Sequence, residues 1–549
     1  MKNTRLILLA LLLISAFLFI FRTGSIPVLD GDTAYYATIA KNMLVSGDWL
    51  TPTAQLKTAG AAIQAGIVDK PPLAMWTMAA GMRVFGINEF GLSIFHSLMA
   101  ILVVIFTFLL GKRLFGETVG LYSALILTTC AQFFYQARSP LQDVPLTLFV
   151  LASVHFFVVF DQDRKPWYLY LCGLSAALAV LTKGPIGVVL PAAIIFIHLL
   201  VERKLFKFNL ADYVIHLPLT LLLFLAVTAP WYIYEYFKLG APFVDRMFGS
   251  TIMRYFFPVD VIGNQIAAGA QPQAHYDFFV YFLIILVTAV PWSGFIFPSV
   301  YYFFKERKYF SMLPLVYAGV IFLLFSFSLN YKIARYILPA FPALTIMVAK
   351  TWEDFMESKT HSHAIQIGNY LNTFFVLPLL GIGTFFLIFS FPKQQLAYQP
   401  IVLPFLIVLC LGMLIASVVF ILKNYRVAFW VLFGTAVASY TLLIPLMDVY
   451  FKDANPSKIF AKQAALLAGK DAALVQFGGL NTCFLDFYAD RKFNLANNAD
   501  ELKKAVGPSR ALAITELPEQ FLAESAKLGK KPRLIASKNS FSLFEVGSK

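Results

Sequence analysis

The 549-residue chain is short of charge. Only 13% of its residues are Asp, Glu, Lys or Arg, while 59% are apolar; soluble domains carry about 25% charged and about 45–50% apolar residues. This composition excludes a soluble enzyme, a disordered chain and a disulfide scaffold, and it predicts an integral membrane protein of many spans. Cysteine is scarce too. Of the four, Cys130, Cys172 and Cys410 fall in apolar runs and Cys483 stands alone, so no disulfide framework is expected. Acids are fewer than bases, 30 against 44, a formal net charge of +14. In a polytopic protein such an excess serves topology and lipid contact, which argues against a nucleic-acid partner. Charge is nearly missing from the middle of the apolar runs, where a transporter would carry it along its substrate path. No fixed-period repeat or low-complexity tract is present.

What is there is a series of thirteen apolar runs, near 5–21, 90–111, 118–136, 141–160, 167–181, 184–201, 213–236, 277–304, 312–329, 333–350, 370–390, 401–422 and 427–447. The first follows Lys2 and Arg5 without a small-x-small cleavage site after it, and it reads as an uncleaved span. A shorter run at 71–85 reads as an interfacial helix. With the N-terminus inside, the cytoplasmic connections hold sixteen Lys and Arg, and the short loops on the other face hold five. That bias predicts a cytoplasmic N-terminus and, with an odd number of spans, an outer C-terminus. The expected organisation is an all-α membrane domain over 1–447 with long outer loops at 22–89 and 237–276, a connection at 448–469, and a small periplasmic α/β domain at 470–549. In that tail, short β-like runs (Ala473–Phe477, Ala511–Thr515, Arg533–Ala536, Phe541–Val546) alternate with helix-like runs (Asp500–Val506, Pro518–Leu528).

The unexpected charges cluster where spans meet the outer face. Asp30 and Asp32 follow the first span, and the apolar spacing over 33–46 predicts an amphipathic interfacial helix that Asp32 would cap. Asp69-Lys70 precedes Pro71-Pro72, where a plain solvated pair is the alternative. Asp143 begins the fourth span, where a carboxylate also suits the helix dipole. Lys183, Lys332 and Arg335 lie in short outer turns, against the positive-inside bias, which favours a function for them. Arg254 and His275 belong to the loop 237–276; a lone loop His is more often a bystander than a ligand. His96, His155, His198 and His216 read as packing residues.

Carboxylates and cations at headgroup level suit a polyprenyl phosphate. Its tail dissolves in the bilayer, and departure of the leaving phosphate builds negative charge that cations or a metal stabilise. A carboxylate opposite them can orient or deprotonate an acceptor. Nucleotide sugars are absent outside the cytoplasm, so a lipid-linked donor fits the compartment.

The segments DGDTAYYATIAKNMLVSGDW, DKPPLAMW with FGINEFG, RSPLQDVP, LTKGP, APWY, TAVPW and YKIARYILPAFPAL together resemble the bacterial GT-C glycosyltransferases. Within these they resemble the protein O-mannosyltransferase-like branch and its enzymes that transfer 4-amino-4-deoxy-L-arabinose to lipid A. The resemblance covers nearly the whole chain. It implies an inverting glycosyltransferase of the bacterial inner membrane that uses an undecaprenyl-phosphate sugar, with lipid A phosphate as the expected acceptor. A protein hydroxyl is the alternative acceptor, and a lipid or sugar transporter is the alternative class. Carried over by residue, Asp32 and Asp143 match catalytic acids. Lys70, Lys183, Arg254, Lys332, Arg335 and Tyr336 match positions around the lipid phosphate. Asp69 and His275 match ligands of a divalent metal, zinc or manganese. The chain departs from the family at Thr33 and Tyr35, where the family has Glu and Arg, at Asp69, where it has Glu, and in an added Gly/Ala-rich stretch at 57–66.

Overall fold

The computed structural model describes all residues except 1–3, 26, 29–30, 53–69, 204–213, 251–277, 329–331, 358–362, 383–398, 455–456, 470, 479–482, 508–509, 539–540 and 548–549. The chain divides into two compact units. One comprises Met1–Thr23, Ser93–Ile262 and Pro272–Leu446, and the other Gly24–Leu92, Gly263–Gln271 and Met447–Lys549.

The first unit is helical. Among the described residues of the chain, seven helices are long and apolar enough to cross a membrane, or eight when a pair bent by 66° (Glu117–Thr128 and Ala131–Arg138) counts as one span. The thirteen expected runs therefore take several forms. Two are shorter apolar helices, Ile186–Val201 and Leu313–Ser326. The run 277–304, expected as one span, is split into Val280–Thr288 and Ser293–Lys305. The run 333–350 opens as a 3-10 turn, Ala334–Ala340, before the helix Phe341–Met356.

The splits have a physical reason. A helix broken in a bilayer exposes backbone donors and acceptors that no water can satisfy. Here two breaks satisfy each other. Ala131 N–H donates to the Val290 carbonyl (3.1 Å). Trp292 Nε1–H donates to Thr129 Oγ1 (2.9 Å), and the Tyr440 hydroxyl lies 3.1 and 3.2 Å from the Thr129 and Val290 carbonyls. Asn372 closes the circuit, donating to the Pro291 carbonyl and accepting from Gly294 N–H, both at 2.8 Å. Trp292, Tyr440, Phe133 and Phe429 fill the space between as fully buried rings.

The second unit is built on a five-stranded sheet: β1 (Ala473–Phe477), β2 (Asn494–Ala496), β3 (Ala511–Thr515), β4 (Arg533–Lys538) and β5 (Phe541–Val546), in the order β2-β1-β3-β5-β4. The first three are parallel; β5 is antiparallel to β3 and β4. Strand β3 is buried along its whole length, as its ALAIT sequence suits for a strand flanked on both edges. The helix Ala499–Val506 starts on a capping box. Asn498 Oδ1 accepts from Glu501 N–H (2.9 Å), and Glu501 Oε2 accepts from Asn497 N–H (2.9 Å). The helix Ser457–Ala468, in the stretch read as a connection, packs on β3 and on the helix Cys483–Ala489. The latter helix and β2 are the tail elements that the sequence reading lacked.

The helix Gly31–Ser46 belongs to this unit and corrects two expectations. It is not a two-faced interfacial helix: Ala34, Tyr36, Ala37, Thr38, Ile39, Ala40 and Lys41 are buried in succession, against the helices Leu73–Phe85 and Cys483–Ala489. Nor does Asp32 cap it, because the helix already begins at Gly31 and Asp32 stands inside the first turn.

Candidate active site

Two consecutive antiparallel helices bring the central pair together. Asp143 is the first residue of Asp143–Asp163, and Lys183 is the last of Pro166–Lys183. Each charge complements the dipole of its own helix end. The hairpin stacks those ends, so residues forty apart in sequence meet: Lys183 Nζ donates to Asp143 Oδ1 at 2.5 Å. Gly184, at φ +81°, turns the chain away directly after the lysine, a conformation that side chains disfavour. The 3-10 turn Ala334–Ala340 lies on the same helix and adds Arg335, whose Nε is 3.3 Å from the other carboxylate oxygen, Oδ2. Tyr336 is buried beneath, with the Lys183 ammonium 4.4 Å from its ring centroid and the Arg335 guanidinium 5.8 Å away, a cation–π arrangement.

Among the described residues this cluster holds one carboxylate and two cations, with side-chain exposures of 4% for Asp143, 10% for Lys183 and 14% for Arg335. A buried charge without a counter-charge is expensive. Two cations held side by side on one carboxylate are placed to meet an anion such as a phosphate. Lys332 extends the same side of the unit. Its ammonium donates to the Phe325 carbonyl (3.0 Å) and to that of Ser326, and lies 5.6 Å from the Tyr281 ring centroid. Tyr281 in turn donates to the Ile333 carbonyl (3.3 Å). The sequence reading missed Tyr281; a hydroxyl in an otherwise apolar run, fully buried here, was its signal.

Other residues fall elsewhere. Arg138, counted with the outer cations, is buried and donates from Nη1 to the Leu18 carbonyl at 2.7 Å, so it closes the C-terminal end of the helix Thr4–Ile20. His96 packs with Nε2 2.9 Å from the Gln136 carbonyl, and His216 bonds Tyr170. Asp32 is exposed in the first turn of its helix and Lys70 is half-buried, both in the second unit. Asp30, Asp69, Arg254 and His275 lie outside the described residues. Among the described residues no group of three or more His, Cys, Asp or Glu side chains is arranged to hold a metal ion.

Residues 69–234 match the family model described as dolichyl-phosphate-mannose-protein mannosyltransferase. The chain is 29% identical to an uncharacterized protein of Aquifex aeolicus over 92% of its own length and 90% of the relative's. It is 27% identical to the undecaprenyl phosphate-alpha-4-amino-4-deoxy-L-arabinose arabinosyl transferase of Erwinia tasmaniensis over 58% of its length, a match that spans about half (54%) of that protein. In fold it resembles the crystal structure of ArnT from Cupriavidus metallidurans bound to undecaprenyl phosphate. The TM-score is 0.77 at 19% identity, with 98% of this chain and 97% of that one covered.

Proposed function

We propose that the chain is a GT-C glycosyltransferase of the protein O-mannosyltransferase-like branch that transfers 4-amino-4-deoxy-L-arabinose from undecaprenyl phosphate to a phosphate of lipid A. The observation that carries this reading is that Asp143 gathers Lys183 and Arg335 side by side at the ends of two neighbouring elements, an arrangement that suits a lipid phosphate. In a one-step inverting transfer, the acceptor oxygen forms a bond to the anomeric carbon while the bond from that carbon to the donor phosphate oxygen breaks. The leaving polyprenyl phosphate takes the electron pair and gains negative charge. Lys183 and Arg335 stabilise that charge more than the ground state, which is the requirement for catalysis. Asp143 holds both cations in place between turnovers. Lys332 serves the same phosphate and Tyr336 floors the site; Lys70 and Arg254 are assigned to donor binding by the family resemblance alone.

Asp32 is the acid for the acceptor. A phosphate acceptor is already an anion and needs orientation rather than deprotonation; a hydroxyl acceptor would need Asp32 as a base. Asp69 and His275 are the residues that would hold a divalent metal; zinc suits such a mixed nitrogen and oxygen set, and manganese is the alternative. When bound, the metal would add a further positive charge against the donor phosphate. The chain lies in the inner membrane with its N-terminus cytoplasmic and its C-terminus periplasmic, a reading supported by the sixteen-to-five bias of Lys and Arg.

The match to a protein mannosyltransferase model favours one second reading, a protein hydroxyl as acceptor. Mass spectrometry of lipid A and of surface proteins from a deletion strain separates the two. Loss of an aminoarabinose-sized mass from lipid A is expected, and loss from proteins alone would replace it with the second reading. Purified Asp32→Asn, which keeps the size of the side chain, is expected to lose transfer while still binding undecaprenyl phosphate. Wild-type turnover in that variant would remove Asp32 from the chemistry.

A further inference from the structure

The helix that starts at Asp143 ends beside a second cavity. It is about 500 Å³ in volume and is lined on its polar side by Asp161, His198, Glu202, Arg307, Lys308 and Ser311. From Asp143 to Asp161 the helix rises about 27 Å at 1.5 Å per residue, close to the thickness of a bilayer's hydrocarbon core, about 30 Å. The cavity therefore lies at the opposite headgroup level from the Asp143 cluster.

Its lining carries charges of both signs. Glu202 accepts from Ser311 Oγ (3.1 Å) and lies 3.6 Å from His198 Nδ1. Asp161 lies beside it, paired with Arg164 at 3.2 Å. Arg307 and Lys308 also line it, and both are exposed. Leu114 and Phe157 form the apolar wall. Val201, in the lining, and Leu200 beside it are each 47% exposed, and Phe304, under the Arg307 guanidinium, is 56% exposed, so apolar side chains are available for acyl chains.

A phosphate alone would be repelled by Glu202 and Asp161, and an ammonium alone by Arg307 and Lys308. A headgroup that carries both fits both. We propose that this cavity binds the headgroup of a phospholipid with a primary ammonium, phosphatidylethanolamine. The ammonium donates to Glu202 and Asp161, the phosphate takes Arg307 and Lys308, and the acyl chains lie over Val201 and Phe304. A primary ammonium has three N–H donors for carboxylates; the quaternary ammonium of phosphatidylcholine has none, and phosphatidylglycerol has no cation.

The test is native mass spectrometry of the full chain in nanodiscs of phosphatidylethanolamine, phosphatidylcholine or phosphatidylglycerol, with the lipid retained after release as the readout. Phosphatidylethanolamine is expected to be retained at least about tenfold over the other two, the factor that one charge-assisted bond supplies. Glu202→Gln is expected to abolish that preference, and Arg307→Ala with Lys308→Ala, at exposed positions that leave folding intact, to lower retention of phosphatidylethanolamine. Equal retention of the three lipids, or an unchanged preference in Glu202→Gln, overturns the proposal. So does displacement of the lipid by millimolar free phosphoethanolamine, which would make the ligand a soluble one.

Discussion

In the helical unit Asp143 faces two cations. In the sheet-bearing unit Glu89 faces one cation, Lys458, and a phenol, Tyr488, whose hydroxyl donates to Glu89 Oε1 at 3.0 Å and accepts from Val28 N–H at 2.8 Å. Nearby in that unit the buried Lys41 ammonium meets the carbonyls of Asp486 (3.0 Å) and Phe487 (2.8 Å) and the Asp490 carboxylate (2.7 Å). Its three donors thus have three acceptors. Here charge is balanced, and the bonds join the loop 24–92 to the tail within one body. The Asp143 cluster is built from the same charged groups but gathers two cations on one carboxylate. Burial of an ion pair says little about its purpose. The response to an added anion, not burial, separates a structural tie from a phosphate site.

The largest effect is expected where the comparison is broken outright. Asp143→Asn leaves two buried cations without their carboxylate and should cost about 3–5 kcal/mol, the usual penalty for breaking a buried pair from one side. The thermal midpoint of the detergent-solubilised chain should fall, and added undecaprenyl phosphate should recover more in the variant than in wild type, since its phosphate replaces the missing charge. An equal ligand response in the two proteins would count against an anion site.

Lys458→Ala performs the matching operation in the other unit. Glu89, only 7% exposed in its side chain, keeps the Tyr488 bond and loses its cation. A loss of about 3 kcal/mol is expected, and it should be indifferent to undecaprenyl phosphate. The pair of changes Glu89→Gln with Lys458→Met should restore most of the loss, and with the single changes Glu89→Gln and Lys458→Met it completes a double-mutant cycle that isolates the interaction.

Lys183→Ala sharpens the comparison from the ligand side. Asp143 keeps Arg335, so stability should change little. Affinity for undecaprenyl phosphate should weaken by about 1–3 kcal/mol, the range for a hydrogen bond to a charged group, read by titration calorimetry in detergent. A stability loss with unchanged affinity would move Lys183 into the class of Lys458.

These two clusters also differ in how far the sequence discloses them. Lys183, Lys332 and Arg335 stand out because a cation in a short outer turn defies the topological bias, and Asp143 because it opens a span. The Glu89–Lys458 and Glu89–Tyr488 bonds join residues 369 and 399 apart, and no local period announces them. The burial of the helix Gly31–Ser46 on most of its surface was hidden for the same reason: its neighbour Cys483–Ala489 lies far along the chain. Hydropathy found the apolar runs but not their breaks. Pro291, which lacks a backbone donor, hinted at the split in 277–304. At 129–130 no proline marks the bend, and the facing groups of Val290, Trp292 and Tyr440 help make it tolerable.

The smallest effect tests whether the balanced unit carries hidden cost. Asp486 accepts from Phe493 N–H at 2.8 Å, yet burial raises its carboxyl from 3.8 to about 6, with that bond, Lys492 and Lys41 opposing the rise only in part. An acid whose pKa is raised on folding holds a proton that the unfolded chain has already released. Its contribution is most favourable below about pH 4, declines as pH rises through about 6, and is flat above that. Asp486→Asn keeps an oxygen for Phe493 N–H and removes the titration. Above pH 6 it should stabilise the sheet unit by about 1–2 kcal/mol, a figure discounted for the partial exposure of the group. Hydrogen exchange at β1 and β3 in the full chain, corrected for intrinsic rates and followed from pH 4 to 8, should lose its decline in protection in the variant. If wild type shows no such decline, the charge on Asp486 costs the fold nothing and the balance in this unit extends to that carboxylate as well.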